Sequence, residues 1–280
     1  MCGTGVGFSV ESQNVQALPQ IKHQTGEKLE PHVIPDNKEG WADALNFGME
    51  TWYAGKDVAF DYSQLRPAGA RLKTMGGKSS GPEPLHALLD FAREKILRRQ
   101  GRRLTNLDAH DIICKIGEIV VSGGVRRSAL ISLSDLDDTE LRDAKKGQFY
   151  INEPQRSIAN NSAVYLQKPT SAEFLDEWTA LMKSGSGERG IFNRAGLRKT
   201  LPERRLKISD GYIDSFGTNP CGEIILRSKQ FCNLTEVIAR AEDTEETLLQ
   251  KTRIATILGT YQSSLTNFPY LSEEWKKNCE

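Results

Sequence analysis

The sequence has little of what marks several common classes of protein. Its 280 residues include 37 basic and 37 acidic side chains, so the formal net charge is zero. A neutral chain is a poor match for a nucleic-acid polymer or an anionic membrane as its main partner. No apolar run approaches the roughly 18 residues of a membrane-spanning helix. The first residues lack the basic region and apolar stretch of a signal peptide. We therefore expect no nucleic-acid polymer and no membrane among its partners.

Cysteine is also scarce, and its spacing is irregular. The five cysteines stand at positions 2, 114, 221, 232 and 279, and no two form the CxxC pattern of metal or thioredoxin-type sites. An odd number in a chain of this length predicts a reduced, cytosolic protein whose disulfides are transient. His110 and Asp111 have no second ligand at metal spacing, so we predict a packed histidine, a structural Cys114 and no metal site.

Hydrophobic periodicity predicts helices that alternate with short strands. The helical patterns cover 38–53, 84–99, 107–121, 135–146, 170–183 and 244–266, and the strand patterns cover 58–62, 129–133, 160–166 and 190–192. Asn106 is the predicted cap of the third helix, and the basic segment 194–207 is expected at the surface. The second helix is expected to have an apolar face formed by Leu85, Leu88, Leu89, Ala92 and Ile96. The fifth helix is expected to turn Phe174, Leu175, Trp178 and Leu181 inward. No repeat or low-complexity linker interrupts the alternation, which predicts an α/β fold with mostly parallel strands.

One stretch, GTNPCGEI at 217–224, carries the most chemistry. Asn219, Cys221 and Glu223 occupy alternate positions. In an extended segment, residues two apart point to the same side. Pro220 argues against a helix interior, and Gly222 leaves room for a ligand to approach. The pattern therefore predicts an amide, a thiol and a carboxylate on one side of an extended segment.

These three groups suit the chemistry of a ribose. An amide and a carboxylate beside a thiol can hold two sugar hydroxyls, and the thiol as a thiyl radical can remove a hydrogen atom from a sugar carbon. The carboxylate can act as general base, and Cys232 can supply reducing equivalents as half of a disulfide. The residues alone leave an alternative open, because a single cysteine is often a buried, small apolar side chain.

Two glycine-rich segments with basic residues are candidates for phosphate binding. In the first, Gly76, Gly77 and Lys78 resemble the end of a P-loop, but Leu72 stands where a glycine is required, so the P-loop interpretation fails. Backbone amides of such a loop can still bind phosphate. The alternative is a mobile surface loop.

The second segment places a glycine pair before two arginines. Gly123 and Gly124 precede Arg126 and Arg127. Guanidinium groups make bidentate contacts with phosphate, so the pattern favours an anion partner. The alternative is a helix-to-strand turn with exposed arginines.

The motif NPCGEI followed by FCNLTEV resembles the active-site finger loop of ribonucleotide reductases. The form with proline and glycine around the cysteine is similar to the adenosylcobalamin-dependent class, class II. The resemblance implies that Cys221 is the thiyl radical, that Asn219 and Glu223 bind and activate the ribose, and that Cys232 is one of two reducing cysteines. It also implies adenosylcobalamin as cofactor, a ribonucleotide substrate, a deoxynucleotide effector and a thioredoxin-like or other dithiol reductant.

The resemblance extends to the fold, through CGTGVGFSVE near the start and SGERGIFNR before the motif. It implies part of a ten-stranded α/β barrel with an internal finger loop, about 217–226, that carries the catalytic cysteine. Two loops would read the effector and relay its identity. The first, about 66–85, contains Arg71, Lys73, Gly76, Gly77 and Lys78; the second, about 122–130, contains Gly123, Gly124, Arg126, Arg127 and Ser128.

The family is longer than this chain, so we expect residues 1–280 to form a single, incomplete catalytic barrel domain. The resemblance places the partner of Cys232 before the segment 2–11, and Cys2 is not its equivalent. Two other hypotheses stay open. One is a catalytically silent nucleotide-binding fragment or split subunit, and the other is a glycyl-radical type of enzyme on the same barrel. Within the family, the sequence most resembles the ribonucleoside-triphosphate reductase branch, although no single motif distinguishes a diphosphate from a triphosphate substrate.

Overall fold

A computed structural model describes residues 4–72, 77–121, 128–209, 211, 213–268 and 270–279. The chain divides into two compact units, Met1–Thr200 and Leu201–Glu280. Within the described ranges, no helix combines the length and the apolar character needed to cross a bilayer.

The first unit contains six strands and eight helices in its described part. The strands are β1 (Gly5–Ser9), β2 (His32–Val33), β3 (Phe60–Asp61), β4 (Ala129–Asp135), β5 (Ala159–Val164) and β6 (Gly190–Phe192). The helices are α1 (Ser12–Val15), α2 (Lys38–Tyr53), α3 (Glu83–Leu97), α4 (Asn106–Val121), α5 (Thr139–Asp143), α6 (Phe149–Asn152), α7 (Ser171–Ser184) and α8 (Leu197–Thr200).

A four-stranded parallel sheet with the order β1-β4-β5-β6 forms one layer of this unit. The register pairs Gly5 with Ala129, Leu130 with Ala159, and Ser162 with Gly190. The central strands β4 and β5 are buried along most of their length, as expected when a parallel sheet is covered on both faces. The prediction of an α/β fold with parallel strands is confirmed.

A second layer is built from α2, α3 and α4 around one apolar core. All five residues that define the predicted apolar face of α3 are buried: Leu85, Leu88, Leu89, Ala92 and Ile96. On α2, Trp52 is buried, and a Cβ at Gly48 would lie 2.7 Å from its ring. That close approach requires a glycine at position 48, so the apolar stripe and the glycine together set the packing.

Some predicted boundaries are wrong. Thr105 caps α4 in place of Asn106, because its hydroxyl accepts the Asp108 N–H at 3.1 Å and the Asp108 carboxylate accepts the Thr105 N–H at 3.1 Å. This reciprocal pair satisfies two backbone donors at the helix start. The predicted helix 135–146 shrinks to α5, because β4 continues to Asp135.

Between the two layers, a buried histidine and cysteine face the sheet. His110 Nδ1 lies 2.9 Å from Ser132 Oγ on β4, and its Nε2 lies 3.4 Å from Cys114 Sγ. Burial lowers the pKa of His110 to about 4 and raises the pKa of the Cys114 thiol to about 12. Both groups are therefore neutral at pH 7, and the predictions of a packed histidine and a structural cysteine are confirmed.

Two predictions about exposure are wrong in this unit. Phe174, Leu175 and Trp178 on α7 are 40%, 57% and 48% exposed, although their spacing predicted an inward face. Periodicity reports that a helix has an apolar face; it does not report that another element covers it. Arg194, expected at the surface, is buried and forms a bidentate ion pair with Glu11 at 2.7 and 2.8 Å.

The second unit contains a β-hairpin and three helices in its described part. These are α9 (Glu203–Ser209), β7 (Gly217–Thr218), β8 (Ile225–Leu226), α10 (Glu245–Ser263) and α11 (Glu273–Cys279). The predicted helix 244–266 is confirmed as α10, and Thr244 caps it by accepting the Thr247 N–H at 3.3 Å. Its apolar residues Leu249, Ile254 and Leu258 are exposed. The hairpin carries three of the predicted catalytic residues, Asn219, Cys221 and Glu223, and Cys232 follows it in the chain.

Candidate active site

The motif GTNPCGEI folds into a tight hairpin. Strands β7 and β8 pair antiparallel, with Gly217 opposite Leu226 and Thr218 opposite Ile225. The Gly222 N–H donates to the Asn219 carbonyl at 3.0 Å, which closes a β-turn over 219–222. Pro220 supplies the φ that the second turn position favours, and Gly222 takes φ +86°. The chain therefore reverses at the predicted radical cysteine.

The reversal brings Asn219 and Glu223 into contact. Asn219 Nδ2 donates to Glu223 Oε1 at 2.7 Å, and Asn219 Oδ1 accepts the Ile224 N–H at 3.0 Å. The predicted extended segment is therefore wrong, although the predicted proximity of amide and carboxylate holds. A turn, rather than two-residue alternation along a strand, joins them.

The two thiols of the site differ in exposure. Cys221 is exposed at the tip of the turn, Cys232 is half-buried, and both are free. Burial raises the pKa of Cys232, and the nearby Glu223 carboxylate raises it further. Because a raised pKa favours the protonated thiol, Cys232 is a weak nucleophile at neutral pH.

We expect Glu223→Gln to move the pH profile of Cys232 alkylation to lower pH. The substitution removes a negative charge that opposes thiolate formation, and the thiolate is the reactive form. The measurement is the rate of iodoacetamide modification against pH, resolved for each cysteine by peptide mass spectrometry. Glu203→Gln is the control, because Glu203 is exposed and pairs with Lys207 at 2.8 Å. An unchanged profile in Glu223→Gln would show that the carboxylate does not act on this thiol.

The base of the hairpin is held by α9. The Arg205 guanidinium donates to the Ile225 carbonyl at 3.0 Å and lies 5.9 Å from the centroid of the buried Phe216 ring. The hydrogen bond from Arg205 fixes strand β8. The buried Phe216 ring anchors the chain just before strand β7. The turn that presents Cys221 is thus supported from below.

Sequence reasoning missed the residues of α11 that contact the segment before Cys232. Trp275 packs on Phe231, and the Asn278 side chain donates to backbone carbonyls in that segment. Asn278 lies 50 residues from its partner Ser228, and no pattern connected them. The one signal in the sequence was that a short helix carries both an aromatic residue, Trp275, and an amide, Asn278.

The predicted effector loops are described in part. In the first loop, Arg71 pairs with Lys78 in an antiparallel bridge, and the Leu72 N–H donates to the Gly77 carbonyl at 3.0 Å. In the second, Ser128 Oγ donates to the Thr4 carbonyl at 3.0 Å. The other predicted residues lie outside the described ranges: Lys73, Gly76, Gly123, Gly124, Arg126 and Arg127. In the described part of the chain, no group of three or more His, Cys, Asp or Glu side chains could hold a metal ion.

Comparisons with known proteins point to one family. Residues 9–96 match the family model "B12-dependent ribonucleotide reductase, insertion domain". The adenosylcobalamin-dependent ribonucleoside-triphosphate reductase of Lactobacillus leichmannii is 31% identical over 324 aligned positions, which cover 100% of this chain and 41% of that protein. The enzyme of the same name from Euglena gracilis is 29% identical, and the alignment covers 100% of this chain and 37% of that protein.

A solved structure agrees with these relatives. The crystal structure of a B12-dependent, class II ribonucleotide reductase superposes with a TM-score of 0.66 and 26% identity, over 82% of this chain and 36% of that one. The predicted resemblance is confirmed: along its whole length the chain is similar to class II, adenosylcobalamin-dependent ribonucleotide reductases. The chain spans about two fifths of the length of these relatives: 41% of the Lactobacillus protein and 37% of the Euglena protein.

Proposed function

We propose that this chain carries the radical cysteine of an adenosylcobalamin-dependent ribonucleotide reductase, which converts ribonucleotides to deoxyribonucleotides for DNA synthesis. The observation that supports this most is the hairpin. It exposes the Cys221 thiol beside a hydrogen-bonded amide–carboxylate pair, Asn219 and Glu223. A ribose diol can replace that internal hydrogen bond, with the amide donating to one hydroxyl and the carboxylate accepting from the other.

In this proposal, each group has one task. The Cys221 thiyl radical removes a hydrogen atom from a ribose carbon, and Glu223 accepts a proton from a ribose hydroxyl as general base. Asn219 orients the sugar. A second hydroxyl leaves as water, and two thiols supply two electrons and two protons and become a disulfide. Cys221 then returns the hydrogen atom to the ribose carbon and is again a thiyl radical, so atoms and electrons balance. Cys232 supplies one of those thiols, kept protonated by burial and by Glu223.

The proposed cofactor fits the exposed position of Cys221. When bound, adenosylcobalamin would supply the radical chemistry, and Cys221 would be the thiol that gives up its hydrogen atom. A thiol at the tip of a turn is open to such an approach, whereas the buried Cys114 is not. The chain's own contribution is to hold the sulfur at the turn and the carboxylate beside it.

The rest of the chain is proposed to frame this site. Residues 1–280 would belong to one catalytic domain, in which the parallel sheet is part of a ten-stranded α/β barrel and 217–226 is its finger loop. The loops 66–85 and 122–130 would bind a deoxynucleotide effector and relay its identity, with Arg126 and Arg127 contacting phosphate. A thioredoxin-like or other dithiol would reduce the disulfide in the cytosol.

The test measures deoxyribonucleotide formation by the protein that carries this chain, with ribonucleoside di- and triphosphates, adenosylcobalamin and a dithiol. We expect product that depends on the cofactor and on the dithiol. Nucleotide binding without any product would favour a catalytically silent binding subunit. Product that forms without adenosylcobalamin would favour a glycyl-radical type of enzyme.

A further inference from the structure

Helix α11 binds the segment that leads to Cys232 through polar contacts, in which each of the two supplies both donors and acceptors. Asn278 Nδ2 donates to the Ser228 carbonyl at 2.8 Å and to the Lys229 carbonyl at 3.3 Å. The Arg227 guanidinium donates to the Asn278 backbone carbonyl at 3.4 Å. The Glu274 carboxylate pairs with the Lys229 ammonium. Residues 227–229 are thus held by α11 at three successive positions.

The residue bonded directly to Cys232 is held by aromatic contacts. The Phe231 ring contacts two others, with centroid distances of 4.7 Å to Trp275 and 5.0 Å to Phe268. These separations fall in the range of about 4.5–7 Å that aromatic pairs favour. Because Phe231 and Cys232 share a peptide bond, the position of the ring restricts the position of the sulfur.

The backbone at Lys229 shows that these contacts impose a conformation. Lys229 has φ +57°, in the left-handed region that residues with a Cβ seldom adopt. Such a conformation persists where the surroundings stabilise it. The two carbonyls that Asn278 binds belong to the peptide groups on either side of the Lys229 Cα. One side chain on α11 therefore stabilises the bend that directs the chain toward Cys232.

We propose that α11 is a positioning element for Cys232, and that Asn278 and Trp275 are positioning residues that fix the place of this thiol. The proposal rests on the proposed function in one respect, the role of Cys232 as a reducing thiol. A disulfide forms only when two Cα atoms lie within about 7 Å with suitable side-chain directions. A displacement of about 1 Å in a reactive group can cost on the order of 100-fold in rate. A thiol on an unsupported loop would not meet that requirement.

The test is a double-mutant cycle between Glu223 and α11, read from the thiol chemistry of Cys232. The pH profile of Cys232 alkylation is measured in the full chain for the parent, Glu223→Gln, Asn278→Ala and the double variant. We expect Glu223→Gln to shift the profile in the parent and to leave it unshifted in the Asn278→Ala background, because the thiol is no longer held near the carboxylate. The charged groups around the segment, Arg227, Lys229 and Glu274, stay the same in all four proteins.

Two comparisons separate positioning from general destabilisation. Cys221 in the same molecules is the internal control, and its alkylation rate is expected to change less than that of Cys232. Lys277→Ala is the matched control on the same helix, and it is expected to retain the full Glu223 effect. Alanine favours the helical state at both positions, so helix propensity does not explain a difference.

Trp275 provides a second pair of variants. Trp275→Phe keeps a ring against Phe231 and is expected to retain the Glu223 effect, whereas Trp275→Leu is expected to lose it. This pair decides the question if Asn278→Ala does not fold. An equal Glu223→Gln shift in the parent and in the α11 variants would overturn the proposal, as would the absence of any shift in the parent. Neither readout requires cofactor, substrate or reductase activity, so a failure here is distinct from a failure of the proposed function.

Discussion

Cys221→Ser is expected to abolish deoxyribonucleotide formation by the protein that carries this chain. A serine hydroxyl keeps the shape of the turn, but its O–H bond is too strong to be converted to a radical in place of the thiol. We expect the rate to fall by on the order of 10³-fold or more, as happens when a group that acts in the chemical step is removed. The measurement is product formation with adenosylcobalamin and a dithiol present.

The matched control for this substitution is Cys114→Ala. It also removes a thiol, but one that is buried on α4 beside His110. We expect unchanged reduction and a loss of about 1 kcal/mol in unfolding free energy, the typical effect of a point substitution. Normal turnover by a folded Cys221→Ser protein would contradict the assignment of the radical cysteine. Loss of turnover in both variants would instead point to a structural effect.

Asp111→Asn is expected to cause a large loss of stability in the first unit. Asp111 is fully buried, and it accepts from the Arg156 guanidinium at 2.7 and 2.8 Å and from Lys95 Nζ at 2.7 Å. An amide would remove the buried carboxylate that the two cations share, and Arg156 would keep the longer contact to the Glu153 carboxylate at 3.9 Å. Removing one partner of a buried ion pair typically costs about 3–5 kcal/mol, a large share of the roughly 5–15 kcal/mol that stabilises a domain.

The pH dependence of stability is a second way to test the buried ion pairs of Asp111. Burial alone raises the pKa of Asp111, but hydrogen bonds from Arg156 and Lys95 outweigh it and hold the pKa below its usual 3.8. A depressed carboxyl pKa contributes stability at pH values above 3.8 and loses it as the pH falls through the folded-state pKa. We therefore expect the parent to lose stability in strong acid through Asp111, and Asp111→Asn to lack that component.

Asp36→Asn is the control for Asp111→Asn. Asp36 accepts from Arg66 Nε at 2.7 Å, but both side chains are about one third exposed, 35% and 33%. Exposed pairs contribute about 0–1 kcal/mol, so urea unfolding should show a small loss for Asp36→Asn and a large loss for Asp111→Asn. Equal losses would mean that burial does not strengthen the Asp111 network.

Local patterns predicted the helices and the packed face of α3 because the relevant forces act over one or two turns. The periodicity over 38–53 matches α2, and all five predicted face residues of α3 are buried. Predictions were weaker where two distant residues meet. Arg194 looked like a surface residue because its partner Glu11 is 183 positions away. The exposed face of α7 shows the opposite error: a helix can have an apolar face, but the sequence of that helix does not say whether another element packs on it.

For the site, the sequence by itself determined the chemical groups: a thiol at 221, an amide at 219 and a carboxylate at 223, and the motif that relates them to class II ribonucleotide reductases. The sequence also determined where the chain can turn, because Pro220 and Gly222 restrict or widen the conformations of their own backbone. Only the tertiary structure decided that a hairpin brings Asn219 to Glu223 and that α11 holds the segment before Cys232. The physical reason is range: backbone preference acts between neighbours, whereas the contacts that place Cys232 form between residues about fifty positions apart, and only folding selects them.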